Sequence, residues 1–175
     1  MMITIERSID GAAIDDFYAL YVAAFGPLRT RAAARHLLSA EEFAGEMTDG
    51  RIDKYVVWEG GRPIALTTVV TDLTAVPWIS PDYYAASYPE QFARGAVYYL
   101  GYTLVRPEHA GRRVFTMMIE RVERKMADER AVCGLDVCAY NDDRQIGRHL
   151  AGLGASAGVT VERLDVQTYY AANFA

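Results

Sequence analysis

The sequence is poor in the residues that build metal and disulfide sites. Of 175 residues, two are cysteine and three are histidine. A structural zinc site needs four ligands at short spacings, and His36, His109 and His149 are scattered, so no metal is expected. Cys133 and Cys138 share one apolar run at an odd and an even position, on opposite faces of a strand. They cannot face each other and read as buried free thiols in a reducing compartment. No run of about eighteen apolar residues occurs, so no membrane partner is expected. Met1 to Glu6 lacks a basic stretch leading into an apolar core, so no secretory signal is read and a cytoplasmic location is expected. Charge of one sign is never concentrated. The net charge of −5 argues against nucleic acid, whose binding rests on cationic contacts to phosphate.

What is present suits one ordered domain over 1–175, since 51% of residues are hydrophobic and only 23% charged. The patterns predict a strand at Ile3–Arg7 and a helix at Ala12–Phe25, capped by Asp10 or Gly11 and ended by Gly26-Pro27. Leu28–Leu38 reads as helix or ordered loop. A second helix is expected at Glu41–Met47 with Ser39 as its cap. Lys54–Glu59, Gly60-Gly61 and Pro63–Asp72 spell a hairpin, because paired glycines accept the positive φ of its turn. Leu73–Arg94 is an aromatic, proline-bearing insertion with a helix start at Ser80-Pro81-Asp82. Its tyrosines and Tyr169-Tyr170 read equally as an apolar acceptor pocket or as cover for a sheet edge. Beyond it come a strand at Gly95–Val105, a helix at Val114–Glu129, a strand at Val132–Tyr140 and a helix at Arg144–Leu153. Strands at Val159–Leu164 and Val166–Ala171 close the chain.

The informative stretch runs from a strand through Pro107 and a short loop into an amphipathic helix. A loop entering a helix offers free N–H groups and the positive end of a dipole, which together bind phosphate. Here the loop is Glu108-His109-Ala110-Gly111-Arg112-Arg113, and its arginines add charged donors. A solvated basic turn between a strand and its crossover helix fits the same residues. Asp136 is the sole charge in its apolar run, so it reads either as a desolvated general base or as a hydrogen-bonded carboxylate at the sheet surface.

Leu104-Val105-Arg106-Pro107-Glu108, followed by Gly111 and a helix, resembles the acyl-CoA motif of the GNAT acyltransferases. Asn141 matches the asparagine that commonly follows in that family. The order of elements is similar along nearly the whole chain, with motif-level detail in Gly95 to Asn141. The resemblance implies an α/β (α+β) fold: a central mixed, mostly antiparallel sheet with helices on both faces. It also implies acetyl-CoA or another acyl-CoA as co-substrate and a small-molecule amine as acceptor. Its donor site would comprise Leu104, Val105, His109, Ala110, Gly111, Arg112, Arg113, Val114 and Asn141. Where the family's turn carries a basic residue or glutamine, then glycine, then glycine or alanine two places on, this chain has Ala110, Arg113 and Phe115; either Arg113 and Phe115 obstruct the pyrophosphate's approach to the backbone, or Arg113 turns outward and its guanidinium replaces backbone contacts. The family's tyrosine acid falls at Arg148, and the neighbouring His149 is the replacement considered, beside plain exposure.

The odd residues Val97, Tyr99, Gly101, Thr103 and Val105 should share a face that by analogy lines the acyl slot. There Gly101 would leave room for the acyl group, and Tyr99 would relay a proton or serve as a buried aromatic. An acyl carrier protein is the alternative donor, since two arginines suit the single phosphate of its arm. A non-catalytic GNAT-like ligand-binding domain is the alternative class, and a homodimer is allowed.

Overall fold

A computed structural model describes residues 1–9, 11–34, 37–143 and 159–174. The chain divides into two units, Met1–Gly26 with Leu38–Leu135, and Pro27–Leu37 with Asp136–Ala175.

The larger unit is organised by one five-stranded sheet in chain order. Its strands are β1 (Met2–Glu6), β2 (Ile52–Glu59), β3 (Arg62–Val70), β4 (Val97–Val105) and β5 (Val132–Gly134). The first three pairings are antiparallel and β4–β5 is parallel, the mixed sheet expected from sequence. Gly60 and Gly61 form the two-residue hairpin turn with φ of 58° and 79°, a region their missing side chains leave open. The helices are α1 (Gly11–Phe25), α2 (Ala40–Thr48), α3 (Pro81–Ser87), α4 (Pro89–Ala93) and α5 (Val114–Asp128). Ser39 caps α2 in a reciprocal box: its Oγ accepts from the Glu42 amide at 3.2 Å, and its own amide donates to Glu42 Oε2 at 2.7 Å. Asp10, the other cap considered for α1, lies outside the described residues.

Helices cover both faces. On one face Tyr55, Val69 and Tyr98 pack with Val122 of α5. On the other Ile52, Val70 and Tyr99 pack with Leu73 and with Tyr84 of α3. The Lys54 side chain is wholly buried and donates to the carbonyls of Arg7 and Asp49 at 2.9 and 2.7 Å. That bond pair ties the end of β1 to the end of α2 across β2.

One irregularity in β4 shapes both of its faces. Thr67 pairs with Thr103 but Val69 pairs with Leu100, so Gly101 and Tyr102 both stand opposite Thr68. This is a β-bulge, and it reverses the alternation of side chains. Val97, Tyr99 and Gly101 share a face as expected. Beyond the bulge Tyr102 joins that side, packing its ring 4.9 Å from Tyr21 of α1 and 5.8 Å from Phe43 of α2. Thr103 and Val105 turn to the opposite side, where Thr103 bonds Thr67 and Val105 packs near Val114. The single odd-numbered face predicted for this strand is therefore wrong past Gly101. A side chain at Gly101 would also collide with Thr68 Oγ1, so the space is occupied and does not await an acyl group. Thr68 Oγ1 accepts from the Tyr102 amide at 3.2 Å and so satisfies the donor the bulge displaces.

The strand expected at Val132–Tyr140 ends at Gly134. The bulge bends β4 away from its neighbour, and the ladder stops at Tyr99 paired with Gly134.

In the smaller unit, the described residues include the short helix α6 (Ala139–Asp142). Arg31 stacks over the Tyr140 ring at 5.0 Å, and Arg163 pairs with Asp142 at 3.1 Å. A 3₁₀ turn at Gly26–Thr30 resolves part of the ambiguous 28–38 segment as ordered loop. The strands predicted at Val159–Leu164 and Val166–Ala171 are absent: residues 159–174 are exposed throughout and carry no ladder. β-branched residues there supply propensity, but a strand also needs a partner for its main-chain groups. The helix expected at Arg144–Leu153 lies outside the described residues. No described helix is long and apolar enough to cross a membrane.

Two outcomes are expected. Gly101→Ala should destabilise by about 2 kcal/mol through overpacking, and adding Thr68→Ala should recover part of that in urea unfolding; strictly additive losses would sink the bulge contact. Burial lowers the Lys54 ammonium to about 8. Below that pH both states hold the proton, while from there to the ordinary 10.5 only the unfolded chain does, so stability contributed by Lys54 rises with pH across that window. A wild-type minus Lys54→Met difference that stays flat over this range would contradict it.

Candidate functional site

Past Tyr99 the outer edge of β4 has no strand partner among the described residues, because β5 has already ended. The main chain of Leu100 bonds the Cys133 thiol, and that of Tyr102 bonds Thr68 and Thr67, so the main-chain groups left to face outward lie past Leu100, a template for an extended ligand rich in amides. Leu104 is buried and pairs with Leu66, while Val105 pairs with Ala65. The Arg106 amide donates to Ile64 at 3.0 Å and its Nε to Pro63 at 2.9 Å, so the strand end is fixed to β3.

The chain then turns through a 3₁₀ segment at Pro107–His109. The amides of His109, Ala110 and Arg112 donate to the carbonyls of Arg106, Pro107 and His109 at 2.8, 3.1 and 3.2 Å. The sequence suggests open donors all along this loop, yet these three are already used. The cause is the fixed φ of Pro107, which suits a tight turn. Open donors lie one step further on. The Met117 amide bonds the Arg113 carbonyl, and no side chain caps α5, so Val114, Phe115 and Thr116 present N–H groups without intrahelical acceptors. Val114 anchors that turn by burying its side chain against Met118 and Val57, whereas Phe115 is exposed.

The two arginines have separate fates. Arg112 Nη1 lies 3.9 Å from Glu59 Oε2 and 3.5 Å from His109 Nδ1, and His109 Nδ1 lies 3.7 Å from the same Glu59 oxygen. Its guanidinium is thus drawn to the β2–β3 hairpin, with Arg62 and Glu108 adding a second link at 3.9 Å. Arg113 is exposed and has no ion-pair partner among the described residues. It stands at φ 61°, next to the helix start, as Gly111 stands at φ 77°. A non-glycine residue there carries strain of about 1 kcal/mol.

The candidate catalytic residues Tyr99 and Asp136 are described each in its own unit. Tyr99 is buried, and its hydroxyl accepts from Trp78 Nε1 at 3.4 Å. It lies five residues before Leu104, roughly 16 Å along the strand. Asp136 is exposed in irregular chain past Gly134, so the burial that would have made it a base is missing. Asn141 sits within α6, its amide donating to Cys138 at 2.9 Å. His149 lies outside the described residues. Both cysteines are free and half-buried, and burial pushes the Cys133 thiol up to about 12. No cluster among the described residues could hold a metal.

Sequence reasoning missed Tyr102 and Glu46. The Tyr102 hydroxyl donates to Glu46 Oε2 of α2 at 3.1 Å. Burial raises the Glu46 carboxyl above its ordinary value against the lowering effect of that hydroxyl, and burial together with the Glu46 charge drives Tyr102 well up. The available signal was Gly101, since an isolated glycine inside a strand marks a bulge.

No family model matches the chain, and no curated protein matches it in sequence. Solved structures do match in shape. A possible acetyltransferase from Clostridium difficile 630 superposes with a TM-score of 0.59 at 10% identity, over 99% of this chain and 100% of that one. An aminoglycoside 6'-N-acetyltransferase from Acinetobacter haemolyticus gives 0.52 at 14% identity over the whole of both chains. Another aminoglycoside acetyltransferase, in complex with a bisubstrate analogue joining CoA to monomethyl-acetylneamine, gives 0.51 at 14% identity over 99% of each. With the bulged β4, the parallel β4–β5 pair that parts beyond it and the turn into α5, this likeness establishes that the chain has the GNAT N-acetyltransferase fold.

Proposed function

We propose that the protein is an acyltransferase that moves an acetyl or larger acyl group from a CoA thioester to a small-molecule amine by direct attack. The observation that carries this reading is the edge of β4 past Leu100, without a strand partner among the described residues, leading through the Pro107 turn to a helix start with no side-chain cap. A pantetheine arm has amides to pair with that edge, and its phosphates meet the Val114, Phe115 and Thr116 amides and the Arg113 guanidinium. Gly111 and Ala110 keep the approach low, and Leu104 and Val105 set its direction. Two structural neighbours support the choice of donor and acceptor class, one named for aminoglycoside 6'-N-acetylation and one holding a CoA–aminoglycoside conjugate. Catalysis then consists of alignment, polarisation of the thioester carbonyl and removal of the amine's proton. A carrier-protein thioester is the second reading, favoured by the tie of Arg112 to Glu59, which leaves one free arginine for a single phosphate.

Calorimetric titration tests both. Acetyl-CoA should bind at submillimolar concentration, and phosphopantetheine alone should bind at least about tenfold more weakly. Equal affinities would move the assignment to the carrier-protein donor, and no heat from either would end it. Arg113→Gly should weaken acetyl-CoA about tenfold while raising stability by roughly 1 kcal/mol, since it removes a phosphate ligand and relieves a left-handed residue. A variant that gains stability without losing affinity would take Arg113 out of the donor site.

A further inference from the structure

The far end of the sheet from the Pro107 turn carries a cleft of about 260 Å³. Thr71, Asp72 and Thr74, in the connection after β3, form its polar wall, and Pro81, Phe92 and Val97 form its apolar one. Val97 opens β4 and Val105 closes it, so roughly 26 Å of strand separates the cleft from the turn. Pockets for drug-sized molecules begin near ~300 Å³, so the guest here is smaller.

The hydrogens of the polar wall are spent inward. The Thr71 amide and hydroxyl both donate to the Arg51 carbonyl, at 2.8 and 2.9 Å. The Thr74 amide and hydroxyl both donate to Asp72 Oδ1, at 3.0 and 2.7 Å. Across the cleft the Phe92 and Gly95 amides donate to the Tyr88 and Phe92 carbonyls at 2.9 and 3.1 Å, and Pro81 has no amide hydrogen. What remains is acceptors: hydroxyl lone pairs, and Asp72 Oδ2, which no donor meets among the described residues. The bonds from Thr74 hold the Asp72 carboxyl below its ordinary value, so it stays ionised. Arg51, the cation beside it, is engaged by Asp49 at 2.6 Å and donates through Nη1 to Thr74 Oγ1 at 3.3 Å. On the apolar side the Phe92 ring is exposed, and a side chain built on Gly95 would meet nothing within 4 Å, so the mouth is open there.

A wall of acceptors selects a guest that donates, and an ionised carboxylate beside an exposed ring selects a cation. Guanidinium answers both demands, because it is planar and weakly hydrated, stacks on aromatic faces and donates from its edge. We propose that this cleft is a binding site for a guanidinium group on a short alkyl chain, its N–H groups donating to Asp72 Oδ2 and the Thr71 hydroxyl oxygen and its plane lying on the Phe92 ring. The site is independent of the donor reading, since no residue of the Pro107 turn takes part and no bond is made or broken there.

Butylguanidinium is titrated into the isotopically labelled full chain while the amide resonances of Thr71, Thr74 and Gly95 are followed, with neutral butylurea as its isostere. Wild type should show shifts at these amides that saturate at millimolar cation, and butylurea should leave them in place. Asp72→Asn keeps the cap of the 3₁₀ turn at Leu73–Ala75, because its side-chain oxygen still accepts from the Thr74 amide, yet it removes the charge. That variant should bind butylguanidinium about fivefold more weakly. Phe92→Ala, at an exposed position, should lose about threefold. An acetylated Gly-Arg-Gly amide distinguishes the source of the cation. Binding as tight as butylguanidinium assigns it to a protein side chain, binding at least about tenfold weaker assigns it to a free small molecule, and either result upholds the site. Equal shifts from butylurea, an affinity unaltered in Asp72→Asn, or no saturable shift at the three amides overturns the proposal.

Discussion

The course of β4 through the larger unit depends on one hydrogen bond, from the Tyr102 amide to Thr68 Oγ1. An extra residue in a strand leaves a main-chain donor without its ladder partner, and burying it unpaired would be costly. Thr68 supplies that partner from β3, and the missing side chain of Gly101 gives its hydroxyl room to approach. With the bulge so satisfied, β4 bends, its pairing with β5 ends at Gly134, and its outer edge is released just before the turn into α5. The same bulge swings Tyr102 under α1 and α2. The end of the β4–β5 ladder and the placing of Tyr102 thus follow from one local choice of two residues, glycine and threonine.

The fold is largely legible in the sequence because its strongest signals are local. Gly60-Gly61 accepts positive φ, Ser39 and Glu42 satisfy each other's amides, and Ser80-Pro81 starts a helix with Ser80 Oγ accepting from Tyr83 at 3.3 Å. Signals that depend on a partner fail. Val159 to Ala171 has the composition of strands, but composition cannot provide a ladder, and the segment is exposed. Val132 to Tyr140 reads as one strand because nothing in its own sequence reports that β4, elsewhere in the chain, has bent away.

The candidate site shows the same division. The turn after Pro107 is marked by its residues, yet which of its amides are open depends on how it closes on itself, and those of His109, Ala110 and Arg112 are spent. Asp136 looks like a buried charge only if its strand continues past Gly134. Glu46 and Tyr102 are fifty-six positions apart and carry no shared spacing, so only the fold brings them together. Side-chain alternation, the rule that points to lining residues, is also the rule a bulge breaks.

The tie between Glu59 and Arg112 makes the charge of the turn after Pro107 respond to electrolyte in two opposed ways. Added salt screens any phosphate from the arginines, and it equally screens the exposed Glu59–Arg112 pair that keeps one guanidinium occupied. The first effect weakens binding and the second frees a ligand for it. On the donor reading proposed above, phosphate affinity would therefore decline less steeply with ionic strength than two unencumbered arginines would dictate, the hairpin tip acting as a buffer for the turn's charge.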